Sequence, residues 1–448
     1  MSPAVLTEST MRRSLPCALL LALALQAPSS AHAAPPPALA GLDALYPELE
    51  ALYRDLHQTP ELARQEEKTA AKLAGRMRAL GFEVTQKVGG TGVVAVLRNG
   101  QGPTVLLRTD MDALPVEEKT GLPYASHVTA KDGSGQSVPV MHACGHDVHM
   151  TAWLGTATLL ARAKDTWRGT LVMIGQPAEE SGNGARGMLA DGLYTRFPKP
   201  DFAVAIHNTA TAASGTVEYA PGYALANVDS VDIILHGKGG HGAYPHTTVD
   251  PIVMAARTIL ALQTIVSREK PPLEPAVITV GSIHGGTKHN IIPDDVKLQL
   301  TVRSYKPEVR KQLLAAIERV ANTEAQVSGA PRKPDVIVSD ETTPATYNDP
   351  ALTKRLVDAV SRVLGEKNVR EVPPVMGGED FAEYGLAGVP AAMLWVGTVE
   401  PQRLEKARAS GETLPSLHSN LFSPDRERSL RTATTTLTTS ALELLGKP

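Results

Sequence analysis

The chain has 448 residues, of which 42% are hydrophobic and 20% charged, with 37 Gly, 34 Pro and 2 Cys. At about 100–200 residues per domain this makes two or three domains with enough apolar content for real cores, which excludes disorder as the main state. Two cysteines exclude a disulfide framework, and a formal net charge of -3 supplies no global field for nucleic acid or an anionic membrane, so a small molecule or peptide is the expected partner.

In chain order, Met11-Arg12-Arg13 is a short basic segment, Cys17 to Leu25 is apolar, and Ala31-His32-Ala33 has the small-x-small form of a cleavage site. Together they predict a secretory signal peptide over residues 1–33, cut after Ala33. The apolar run falls short of the ~20 residues that a spanning helix needs, so the expected product is periplasmic or secreted without a stable membrane anchor. Cleavage removes Cys17 and leaves Cys144 as the only thiol. In an oxidising compartment such a thiol has to be buried, coordinated or catalytic.

A helical pattern then runs through Leu45, Leu49, Leu52 and Leu56, and a second covers Glu66 to Leu80 and stops at Gly81. Apolar runs at Val93 to Leu97, Thr104 to Leu107, Thr170 to Ile174 and Phe202 to Ile206 predict buried strands, with a helix from Val148 to Ala163 between the middle two. This alternation predicts an α/β catalytic domain, beginning over residues 40–222, with a largely parallel sheet flanked by helices. Residues 223–338 change pattern. Strands at Ser230 to Leu235, Ala276 to Val280, Val296 to Val302 and Asp335 to Val338 interleave with helices at Pro251 to Val266 and Pro307 to Glu324. That order predicts an inserted α+β block of ferredoxin-like type. A helix from Pro350 to Leu364, a strand from Ala391 to Val396 and a helix from Ser423 to Leu445 return to the first pattern, so residues 339–448 complete a discontinuous catalytic domain.

Polar clusters follow three of the predicted strands: Asp110-Met111-Asp112, Glu179-Glu180 and His207. In open α/β sheets the site lies beyond the carboxyl ends of the strands, so these clusters can converge. A fourth, His142-Ala143-Cys144-Gly145-His146-Asp147-Val148-His149, precedes a predicted helix. Cys and His two residues apart suit a borderline metal such as zinc; alone they read sooner as a helix start with Asp147 as cap, and it is the lone exported thiol with its converging carboxylates that favours coordination. Adjacent glutamates are usually a solvated pair, but this pair lies between an apolar strand and Ser181-Gly182-Asn183-Gly184, where one can bind metal and the other act as a base.

Asp110-Met111-Asp112-Ala113-Leu114-Pro115, Met141 to Asp147, Gln176-Pro177-Ala178-Glu179-Glu180 and Gly237 to Pro245 resemble the M20 metallopeptidase family, in the branch of hippurate hydrolases and auxin-conjugate (indoleacetyl-amino acid) hydrolases. The similarity runs in order from Leu56-His57-Gln58-Thr59-Pro60-Glu61-Leu62 to Leu417-His418-Ser419. It implies two divalent metal ions per subunit, with zinc best suited and manganese, cobalt or nickel as alternatives. Cys144 would bridge them, His146 and His207 would complete one site, and Glu180 and His418 the other. Glu179 would be the general base on metal-bound water and Asp112 its supporting carboxylate, with Asp110 outside the ligand set. The insert would be a dimerisation or lid domain of a homodimer. From it, His241 would reach the partner's site and stabilise the substrate carbonyl oxygen, while Asn290 and Arg303 would hold the substrate carboxylate. Without the family pattern His241 reads as a glycine-flanked turn residue, and Arg303 as a structural salt bridge. Gly377 to Phe381 fits as a cleft-lining loop with no assigned step.

The implied activity is hydrolysis of the amide bond of N-acyl amino acids or short peptides, as an amidohydrolase or carboxypeptidase. Alternatives are a dipeptidase or aminopeptidase of the same fold, a thiol hydrolase with Cys144 as nucleophile, and a non-catalytic binding protein.

Overall fold

The computed structural model describes residues 36–447, so the leader over residues 1–33 lies outside the described residues. Before the insert the chain forms strands β1 (Glu83–Val88), β2 (Gly92–Asn99), β3 (Thr104–Asp110), β4 (Gly169–Gln176), β5 (Phe202–Ala213) and β6 (Val217–Tyr219), with helices α1 (Leu42–Gln58), α2 (Glu67–Ala79) and α3 (His146–Arg162). The insert contributes β7 (Asn227–His236), β8 (Ala276–His284), β9 (Asp295–Ser304) and β10 (Asp335–Val338), with α4 (Pro251–Thr264) and α5 (Pro307–Val327). The chain then returns through α6 (Pro350–Leu364), β11 (Val369–Glu371), β12 (Ala391–Val399) and α7 (Arg426–Leu444).

The large sheet has eight strands in the order β1-β2-β4-β3-β5-β12-β6-β11. Its centre, β4-β3-β5-β12, is parallel. The β1-β2, β2-β4 and β12-β6 pairs are antiparallel, so the predicted largely parallel sheet is parallel where it matters for the site and mixed towards its edges. The central strands are apolar on both faces because helices cover both. Val105, Leu107, Leu171 and Met173 pack with Trp153 of α3 and Leu437 of α7 on one side. Leu106, Val172 and Ile174 pack with Met188, Phe381 and Tyr384 on the other. Such burial on both faces explains why these strands read as continuous hydrophobic runs instead of alternating ones.

The central strands extend further than their apolar runs predict. β3 continues through Arg108 to Asp110, β4 to Gln176, and His207 lies inside β5 and not after it. Charged residues are tolerated there because Arg108 and Asp110 neutralise each other at 2.6 Å. The insert is a four-stranded antiparallel sheet in the order β8-β9-β7-β10. Its apolar face, including Val231, Ile233, Leu298 and Leu300, packs on Met254 and Leu262 of α4 and Leu313 and Ile317 of α5. Among the described residues no helix is long and apolar enough to cross a membrane.

Candidate metal centre and active site

The turn after β4, the second half of β5 and the loop leading into α3 line one end of a cleft of about 950 Å³, whose residues include Cys144, Glu179, Glu180, His207, Arg303 and His418. Gly145, with φ of 79°, turns the chain from Cys144 into α3. A Cβ there would lie 2.1 Å from Asn208 Nδ2, which donates a 2.9 Å hydrogen bond to the Gly145 carbonyl, so only glycine fits. The first residue of α3 is His146, not Val148. Asp147 is not the N-cap; its Oδ2 lies 2.6 Å from His57 Nδ1 and its Oδ1 accepts from Val148 N–H at 2.9 Å.

Two histidines are oriented from behind. Nδ1 of His146 faces the Asp112 carbonyl at 2.8 Å, and Nδ1 of His207 faces the Asn208 carbonyl at 2.8 Å. A carbonyl accepts only, so each Nδ1 carries a proton and Nε2 is the ring atom left for a metal, which at His146 would take the place of a second proton. His207 Nε2 is 3.6 Å from Cys144 Sγ. His146 Nε2 is 3.9 Å from Glu180 Oε1, and His418 Nε2 is 3.4 Å from the same oxygen. One ligand atom each from Cys144, His146 and Glu180 falls within 4.8 Å of the others.

Two observations show that this set fits a divalent cation. First, His146 Nε2 is buried without a hydrogen-bond partner and Glu180 Oε1 has only the long 3.4 Å approach of His418, a costly state for polar atoms that a metal would relieve. Second, the field of the protein asks for positive charge there. Burial opposes protonation of His146, yet Asp110 and Asp112 hold its pKa up at about 10. Burial, then Glu379, Glu180 and Asp380, push the Glu179 carboxyl well above the usual range. The Cys144 thiol is likewise pushed up by burial and then by Glu180, Glu179 and Asp110. A thiol so disfavoured as thiolate is a poor nucleophile and a plausible ligand only when a cation sits beside it.

Asp110 and His149 join His146 and His207 in a second potential ligand group, but both are already engaged. Asp110 takes Arg108 Nη1 at 2.6 Å on one oxygen and His149 Nδ1 at 2.7 Å on the other, while His149 Nε2 accepts from Asn208 N–H at 2.9 Å. They brace the end of β3 and the start of α3 through these hydrogen bonds.

Arg108 was not singled out by the sequence reading. Its guanidinium, fully buried, donates to Gln176 Oε1 at 2.9 Å, Glu379 Oε1 at 2.8 Å and Asp380 Oδ1 at 3.2 Å, as well as to Asp110. This gives Gly377 to Phe381 a role: its two carboxylates neutralise Arg108 and anchor the returning chain behind Glu179. The available signal was an arginine inside an apolar strand, which must find buried anions.

His241 and Asn290 are not in this cleft. They lie exposed at the tip of the insert, where Gly242 N–H donates to the Asn290 carbonyl at 2.9 Å. Arg303 does line the cleft. Its Nη1 donates to the Met376 carbonyl at 2.7 Å, and among the described residues it makes no salt bridge.

Residues 106–413 match the profile of Peptidase family M20/M25/M40. The chain is 38% identical over 358 residues to an N-acetyl-L-cysteine deacetylase of Bacillus subtilis (strain 168), covering 80% of this chain and 82% of that protein. It is also 38% identical over 378 residues to thermostable carboxypeptidase 1 of Saccharolobus solfataricus, covering 84% of this chain and 90% of that one. Among solved structures it is similar to a dinuclear metal binding peptidase from the M20 family of Bacillus subtilis, with a TM-score of 0.71, 30% identity, and coverage of 90% and 99%. The donor set, the cleft and these matches agree: the chain belongs to peptidase family M20/M25/M40 and is a metal-dependent hydrolase of amide bonds.

Proposed function

We propose that the protein hydrolyses the amide bond of N-acyl amino acids or short peptides, with Glu179 as general base. The observation that carries this reading is the pair of buried, poorly partnered ligand atoms, His146 Nε2 and Glu180 Oε1, beside Glu179 at an open cleft. Cys144, His146, His207, Glu180 and His418 would hold two divalent ions, with zinc suited to the donors. Once bound, the ions would supply polarisation of the scissile carbonyl and acidification of water. Glu179 takes the proton from the attacking water and returns it to the leaving amine. Arg303, free of carboxylate partners, suits the carboxylate of the substrate. The deacetylase and carboxypeptidase among the relatives support an acyl or peptide bond to an amino acid as the target.

We further propose that the protein acts as a homodimer and is exported after cleavage at Ala33. The insert presents β8 as an edge strand with Ile283 exposed, and α4 exposes Ile252, Val253 and Leu260. Pairing there would give His241 and Asn290 a partner's cleft to serve. Sedimentation and N-terminal sequencing of the exported protein check these two points: a monomer, or an intact leader, contradicts them.

The activity is tested by turnover of N-acetyl amino acids, benzoyl-glycine and dipeptides after chelation and reloading with zinc, manganese, cobalt or nickel. Chelation should abolish turnover and reloading restore it, with N-acyl amino acids or peptides cleaved. Turnover that survives chelation would point to a thiol hydrolase, and none with metal bound would point to a binding protein.

A further inference from the structure

Glu179 follows Ala178, whose φ of 54° lies in the left-handed region that residues other than glycine rarely adopt. Such a conformation persists only where its surroundings impose it. Here three successive backbone donors are captured by two buried carboxyls. Ala178 N–H donates to Glu66 Oε1 at 2.8 Å, Glu179 N–H to Asp112 Oδ1 at 3.1 Å, and Glu180 N–H to Asp112 Oδ2 at 2.9 Å. On the other side of the turn, Gly182 N–H donates to the Glu179 carbonyl at 2.7 Å and Gly184 N–H to the Ala178 carbonyl at 3.2 Å. A Cβ at Gly184 would lie 1.7 Å from the Pro177 carbonyl oxygen, so the turn is closed tightly there.

Glu66 has no accessible surface and no place in the metal or substrate machinery. It is itself fixed: Arg64 N–H donates to Oε1 at 2.9 Å, and the Thr91 hydroxyl lies 2.5 Å from Oε2. Its carboxyl therefore ties the entry to α2 and the loop before β2 to the backbone immediately preceding the base. Asp112 holds two of the three donors, and Glu66 holds the third.

We propose that Glu66 is a positioning residue for Glu179, its carboxyl fixing the left-handed Ala178 turn that aims the Glu179 side chain into the cleft. This rests on the reading of Glu179 as the base. A displacement of about 1 Å at such a group can cost on the order of 100-fold in rate, so loss of the acceptor should be visible in kcat. Burial, and then Asp112, push the Glu66 carboxyl up, and an amide of the same length reproduces its acceptor oxygen while offering a donor to Thr91.

The test compares Glu66→Ala, Glu66→Asp and Glu66→Gln in the full-length, metal-reloaded protein. Glu66→Asp keeps the charge but withdraws it by one methylene, and carries the comparison if Glu66→Ala does not fold. Alanine and aspartate should lower kcat by about 10–100-fold while KM stays within about 3-fold and bound metal per subunit is unchanged. Both should speed amide hydrogen exchange of residues 176–182 in the metal-free protein, and glutamine should restore kcat and protection together. Wild-type kcat or wild-type exchange in the alanine or aspartate variant overturns the proposal, as does a glutamine variant as impaired as alanine. If the wild-type enzyme turned over none of the substrates, the functional reading would fall, while the exchange comparison would still decide whether Glu66 holds the turn.

Discussion

Arg108 shows how much of this site is built from buried charge. Three carboxylates, Asp110, Glu379 and Asp380, share one guanidinium in a region closed to solvent. A buried cluster of this kind contributes little net stability compared with apolar packing, but removing one partner leaves the others uncompensated. Arg108→Leu should therefore cost about 3–5 kcal/mol in urea unfolding. A loss under ~1 kcal/mol would mean that the three carboxylates find other partners or protons. The same logic applies to His146 and Glu180, whose buried polar atoms a cation would satisfy on the proposed reading. Of these residues, the ligand candidates were named from the sequence because the motifs that hold them resemble those of the M20 family. Arg108 and Glu66 were not, because one buried Arg or Glu carries no spacing signal: its partners are 271 residues away for Arg108 and Glu379, and 112 for Glu66 and Ala178.

At the scale of elements, α1 and α3 are joined by a buried clasp. His57, at the end of α1, lies 2.6 Å from Asp147 Oδ2 and 3.1 Å from Glu118 Oε1. The rings of Tyr53 and Tyr124 pack around it at 5.6 and 5.4 Å between centroids. Burial pushes the imidazole pKa down, but the hydrogen bonds of Asp147 and Glu118 outweigh this and raise it from 6.5 to about 10. A raised pKa means that the folded state holds the proton more tightly than the unfolded chain. Its stabilisation is thus complete below pH 6.5 and fades as pH climbs towards 10. The stability advantage of wild type over His57→Gln should shrink steadily between pH 7 and 10 in chemical denaturation; an advantage that grows with pH would show that His57 is neutral in the clasp. The helices and strands themselves were largely readable: Asp335 to Val338 and Pro350 to Leu364 coincide with β10 and α6. What the patterns missed were the polar ends of β3, β4 and β5. Periodicity stops at the first charged residue, whereas the backbone ladder continues for as long as that charge has a buried partner.

For the whole molecule, the parallel centre of the large sheet brings the end of β4, the middle of β5 and the start of α3 together, and the insert, with its own core, adds Arg303 to the cleft. The fold class was legible because strand-helix alternation and an antiparallel block are different patterns. The position of Asn290 was not: expected at the substrate carboxylate, it lies beside His241 at the exposed tip, where the strands bearing His241 and Ile291 pair. The central claim, a metal-dependent hydrolase whose base is Glu179, is tested most directly by one paired measurement on the reloaded enzyme. This is the turnover of an N-acyl amino acid by wild type and by Glu179→Gln, with bound metal per subunit determined on the same samples. The account predicts equal metal content with turnover in the variant lower by about 100-fold or more; near-normal turnover by metal-loaded Glu179→Gln would contradict it.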